Sequence, residues 1–155
     1  MNWFNLNARI ISDWLDNFER PLIDYRLPDD FEPTLYDLTI QPFIGDTYEE
    51  KSFTFDGTMI MHLKCKRATN KIVFHSHQLK IDAEKLKIES ATDPAMNVDK
   101  NIKFDFVRQF VTVFMSKDCV VDAEYMLTIV YEGPISDKLN GFYRSSYIDS
   151  NNTKQ

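Results

Sequence analysis

His75 and His77 stand two residues apart, and on a β-strand residues at that spacing project from one face. Two imidazoles on one face are half of a zinc site. The metal needs a third and usually a fourth ligand, and a catalytic site keeps one position open for water. His62 and Cys65 are the candidates for the remainder, and they serve only if neighbouring strands bring them into line. The spacing matches no zinc pattern. No H-E-x-x-H segment exists to set two imidazoles one helical turn apart on an ion. The three histidines are therefore expected to be polar residues at strand ends rather than ligands.

Other reactive groups are equally isolated. Asp29-Asp30 and Glu49-Glu50 are adjacent carboxylates, but neighbours on a strand face opposite ways, so they are poor acid–base partners. They read as solvated loop charge. Cys119 follows Lys117, a cation that lowers a thiol pKa when close, yet no histidine partner is in sequence reach. No G-x-S-x-G turn is present, and four glycines in the whole chain leave no room for a glycine-rich phosphate loop. Cys65 and Cys119 are expected to be buried reduced thiols, because two cysteines do not make a disulfide-dense scaffold. Asn151-Asn152-Thr153 is a glycosylation sequon that matters only in a secreted chain. No catalytic, cofactor-binding or metal-ligating residue is assigned, and no cofactor is expected in this chain.

The totals exclude whole classes of partner. A net charge of −6 disfavours nucleic acid and anionic lipid. No stretch approaches the ~18 apolar residues that cross a bilayer. Residues 1–20 lack the basic start, apolar middle and cleavage site of a secretory signal, so the chain reads as cytosolic by default. One domain is expected from 155 residues. A hydrophobic content of 43% with 12 Phe and 7 Tyr implies a packed core.

The elements that would position these residues are mostly strands. Residues 3–18 are the exception. Trp3, Leu6, Ile10, Trp14 and Phe18 recur at helical spacing, and Pro21 closes the pattern. The polar face is mixed and slightly acidic, which suits packing on the sheet or a partner better than a membrane surface. From Tyr36 the period becomes two: Tyr36, Leu38 and Ile40, then Phe53 through Cys65 with a bend at Gly57, then Ile72 and Phe74. Leu79–Ile81, Leu86–Ile88, Ile102 with Phe104 and Phe106, 110–115 and Tyr125–Tyr131 follow. Residues 90–101 are turn-rich and read as a loop. Short strands at this spacing predict an antiparallel β-sandwich.

Several short segments, in order, resemble the N-terminal domain of the aminopeptidase N family of zinc metallopeptidases. They are Arg26-Leu27-Pro28, Pro33 and Tyr36-Asp37-Leu38, then Phe55-Asp56-Gly57 and Ile72-Val73-Phe74-His75-Ser76. Near the end come Tyr125, Leu127, Ile129, Tyr131 and Gly133 at alternate positions, and the run Gly141-Phe142-Tyr143-Arg144-Ser145-Ser146-Tyr147. The resemblance implies a β-saddle over 23–148, cut short at its C-terminal end, behind an amphipathic helix in 1–22 and ahead of a polar tail in 149–155. It implies zinc chemistry only for full-length members, whose ligands and catalytic groups belong to a later domain. Those members are often membrane-anchored ectoenzymes. The expected role is that of a non-catalytic module that binds protein or peptide, with the catalytic domain of a related aminopeptidase as one partner. The alternative is a fragment of a zinc aminopeptidase that removes N-terminal residues. Tyr131, Phe142, Tyr143 and Tyr147 are expected to bury their rings and close the sheet.

Overall fold

The computed structural model describes residues 23–138, 141–148 and 150. The helix expected over 3–18, the Asn151 sequon and most of the 149–155 tail lie outside them. Eight strands follow in order among the described residues: β1 Phe31–Phe43, β2 Thr54–Cys65, β3 Lys71–His75, β4 Lys80–Ile81, β5 Lys87–Glu89, β6 Lys103–Asp105, β7 Phe110–Phe114 and β8 Glu124–Pro134. Every pairing between them is antiparallel. One sheet runs β1-β2-β8, with β4 and β5 sharing the far edge of β8; the other runs β3-β7-β6. The chain is mostly β, an antiparallel sandwich as its alternation predicts.

Alternation explains which sheet face is buried. Tyr125, Leu127 and Ile129 of β8 are sealed from solvent, as are Met61, Leu63 and Cys65 of β2. Ile72 and Phe74 of β3 and Val111 and Val113 of β7 meet them from the second sheet in one continuous core. The intervening residues carry the charges, as a half-buried sheet requires. The chain between β4 and β5 makes one 3-10 turn over Ala83–Lys85, where the Asp82 carboxylate accepts the Glu84 N–H at 3.1 Å.

Four local expectations fail for tertiary reasons. β1 begins at Phe31, ahead of the alternation expected from Tyr36, and runs through Pro33 to Phe43. Two prolines are tolerable because β1 is an edge strand, where a missing N–H leaves no ladder partner wanting; the register shifts between Pro33 and Leu35. Phe53 lies ahead of β2 rather than on it, with φ 56°. Its N–H donates to the Phe43 carbonyl at 2.8 Å and its carbonyl accepts the Ile135 N–H at 2.7 Å. Phe106 lies past β6 in the β6–β7 turn and is the most exposed large apolar residue there. The loop at 90–101 is irregular, but Met96 inserts into the core and Val98 bridges to Met115.

The cysteines correct the expectation of reduced thiols. Cys65 and Cys119 form a disulfide, with Cα atoms 6.6 Å apart and a sequence separation of 54. The link ties the end of β2 to the segment entering β8. Around it, Cys119 N–H donates to Thr69, Cys65 N–H to Ala123 and Asp122 N–H to Cys65. The buried Tyr125 hydroxyl accepts the Val120 N–H at 2.9 Å. Closing a loop of this length removes about 4 kcal/mol of chain entropy from the unfolded state. Replacing both cysteines by alanine should lower unfolding free energy by about 2 to 5 kcal/mol in urea melts; an unchanged midpoint would show the bond adds nothing.

Gly57 makes room for an aromatic ring against β2. It sits opposite Ile40 on β1 and Tyr131 on β8. The Tyr131 ring lies over it so closely that an added Cβ would stand 2.5 Å from the ring carbons. Gly57→Ala should cost roughly 1 to 3 kcal/mol by overpacking. The loss should shrink when Tyr131→Leu is made in the same chain, a coupling readable in a double-mutant cycle.

Candidate functional site

The residues weighed for chemistry end up scattered. His62 faces outward from β2, with Nε2 2.9 Å from the Asp37 carboxylate on β1. His75 closes β3. Its Nε2 lies 3.1 Å from the Tyr25 carbonyl oxygen, and its ring meets Phe110 edge-on. His77 lies past the end of β3 and is exposed, so the strand geometry that would align it with His75 is lost. Asp29 and Asp30 pair with Lys66 and Arg67. Glu49 and Glu50 lie exposed on the 3-10 helix Asp46–Lys51. Lys117 pairs with Asp93, and Cys119 is committed to the disulfide. Among the described residues no group of three His, Cys, Asp or Glu is placed to hold a metal ion.

Charged cavities turn out to be self-neutralised. A hollow of about 460 Å³ beside β4 is lined by Lys51, Lys80, Lys85, Asp56, Asp82 and Glu132. Each lysine there has its own carboxylate: Lys51 with Asp56, Lys80 with Glu132 and Lys85 with Asp82. The hydrogen bond from Lys85 holds the Asp82 carboxyl below its ordinary range, and Glu132 raises the Lys80 ammonium. Paired, solvated charges of this kind offer a small anion little net attraction.

The Gly141–Tyr147 run is structural only in part. Gly141 takes a left-handed φ of 63°. Arg144 lies 4.0 Å from the Phe53 ring centroid, pairs with Asp137 and donates its N–H to the Ser136 carbonyl. Phe142 leans edge-on against Phe55. Yet Phe142, Tyr143 and Tyr147 stay exposed, which corrects the expectation that they bury their rings to close the sheet.

What the sandwich leaves open is the margin at β1. Among the described residues no strand pairs with its outer edge. Its inner face is uncovered as well. Tyr36, Leu38 and Ile40 sit opposite Met61, Met59 and Gly57, on the same side as the core, yet remain 52%, 57% and 40% exposed. Leu35, on the other face, is also exposed. Sequence reading placed Tyr36, Leu38 and Ile40 on one strand face; which strands lay opposite them was not encoded locally.

The described residues form a two-sheet antiparallel sandwich with one long strand margin that no described strand pairs. Its lineage is specific. Residues 32–155 match the peptidase M1 N-terminal domain, and the chain belongs to that family. It is 32% identical over 128 residues to aminopeptidase 2 of Candida albicans, covering 83% of this chain and 12% of the relative. It is 28% identical over 132 residues to human aminopeptidase N, covering 82% and 13%. With the dog aminopeptidase N the identity is 25% over 134 residues, covering 84% and 14%. The chain thus spans about a seventh of the length of the curated relatives it matches.

Tyr131 supplies a pH test of this region. Burial pushes its phenol above the ordinary value, so the unfolded chain ionises first as pH rises. The stability this contributes is full below about pH 10 and is lost as pH climbs through the raised folded value. Urea midpoints should fall more steeply from about pH 9 to about pH 11 in the native chain than in Tyr131→Phe.

Proposed function

We propose that this domain is a non-catalytic module, derived from a zinc metalloaminopeptidase, that binds an extended protein or peptide segment along β1. The supporting observation is the outer edge of this 13-residue strand, which has no partner among the described residues. An unpaired strand presents a row of backbone donors and acceptors, and a second chain satisfies them by strand addition. The exposed apolar side chains on both faces of β1 add pockets for alternate residues of the incoming segment. The mixed, acidic surface supports a polypeptide partner over nucleic acid. A natural candidate is the catalytic domain of a related aminopeptidase.

The alternative reading is the activity of the relatives themselves: removal of N-terminal residues from peptides, with zinc and its ligands supplied by chain outside these 155 residues. The small share of the relatives that this chain spans favours it. Intact mass measurement of the protein from its native source separates the two. A 155-residue species supports the module; a far longer one containing an H-E-x-x-H segment supports the alternative.

The purified chain should release no amino acid from aminoacyl substrates, with or without added zinc. It should co-elute with the catalytic region of a related aminopeptidase in size exclusion. Leu35→Lys, a charge at the strand edge, should weaken that association at least tenfold. Amino-acid release, or a chain that stays monomeric and unbound, would end the module reading.

A further inference from the structure

The usable outer edge of β1 is shorter than the strand. Phe43 turns its backbone toward β2, because its carbonyl accepts the Phe53 N–H at 2.8 Å. The backbone groups of an antiparallel strand point alternately to its two sides, so Pro42, Ile40, Leu38 and Tyr36 turn theirs to the outer edge. Pro33 is in the same phase. The register shift after it leaves it opposite Leu63, which alternates with Met61 and Met59 along β2. Neither proline has an N–H to offer. Between these two blocked ends, Tyr36, Leu38 and Ile40 each present one N–H and one carbonyl outward. An added antiparallel strand exchanges both bonds with such a residue, so the edge holds a run of about five residues, from Tyr36 to Ile40.

Side chains decide which run it holds. Residues directly opposite in a ladder share a face, so those facing Tyr36, Leu38 and Ile40 join exposed apolar side chains. A cavity of about 190 Å³ lined by Leu27, Pro28, Tyr36, Met61 and Phe74 lies beside the first of them. The other face of the strand carries charge. Asp37 is 58% exposed, and its carboxylate meets His62 at 2.9 Å. Glu32 is the second acidic residue of β1, and residues 31–43 contain no lysine or arginine. A cation on the added strand therefore finds attraction at Asp37, whereas a second copy of β1 would bring carboxylates and no cation.

We propose that β1 takes an extended antiparallel segment with apolar residues opposite Tyr36, Leu38 and Ile40 and a lysine or arginine opposite Asp37, its ladder ended by Pro33 and Pro42. The preference rests on strand addition at β1 and gives the chemistry of the partner.

The capped peptide Ser-Val-Thr-Val-Lys-Val-Ser carries this pattern. A fluorescent form titrated with the purified chain should show saturable binding by anisotropy. N-methylation of its valines, whose N–H groups face β1, should weaken binding by about tenfold. N-methylation of its threonine and lysine, whose N–H groups face away, should change binding little. Exchanging the peptide's lysine for glutamate should weaken binding about threefold at low salt, and the difference should shrink as salt rises. Asp37→Lys should reverse that preference while far-ultraviolet circular dichroism keeps its β signal. Equal loss from both methylation patterns, or loss from neither, would overturn the proposal, as would a glutamate peptide that binds as tightly as the lysine one. A chain that pairs with itself and frees the edge only on dilution would overturn it too. If no peptide binds, yet the catalytic region of a related aminopeptidase co-elutes and Leu35→Lys weakens that complex, this pattern fails and strand addition stands. If neither binds, both fall.

Discussion

The domain is governed by a mismatch in strand length. β1, β2 and β8 run 13, 12 and 11 residues, whereas β3, β7 and β6 run five, five and three. At about 3.3 Å per residue, the long sheet reaches roughly 40 Å and the facing one less than half of that. The small sheet seals the centre of β2 and β8, where Leu127 and Ile129 have almost no solvent exposure. It cannot also seal β1. The same alternation of apolar and polar residues thus produces a dry core in two strands and an exposed apolar margin in the third.

Within the sealed region the structure is tightly specified. The Cys65–Cys119 link, the Tyr125 hydroxyl on Val120 and the backbone bonds among Thr69, Cys119 and Ala123 bind one end of the sandwich. At the other end, Gly57 and Gly133 admit the rings of Tyr131 and Phe55 against the strands. Aromatic rings stacked over glycines bury area without lengthening any side chain. No buried side-chain nitrogen or oxygen among the described residues lacks a hydrogen-bond partner. The polar groups outside are matched mostly as exposed pairs, each worth little to stability. Cohesion therefore comes from apolar burial and the cross-link rather than from surface charge.

Most strands were legible because alternation is local. Leu127 and Ile129 announce a buried face through their own neighbours, as do Ile72 with Phe74 and Val111 with Val113. Three features were not. Met96 lies in a turn-rich loop whose composition predicts solvent, yet the open end of the core draws it in. The pairing of Cys65 with Cys119 depends on two segments 54 residues apart arriving together. Phe142, Tyr143 and Tyr147 have the size of core residues, but no described layer encloses them. Each of these errors concerns what lies across from a residue, never what lies beside it.

The sequence by itself determined the period-two faces and the order of motifs that marks the peptidase M1 N-terminal domain family. These depend on neighbours within a few residues, where sterics and burial act directly. Only the tertiary structure decided that His62, His75 and His77 stay apart, that the cysteines meet and that β1 remains uncovered. Those outcomes follow from which strands lie opposite one another and how far each sheet extends, a matter of long-range registration that no local spacing encodes.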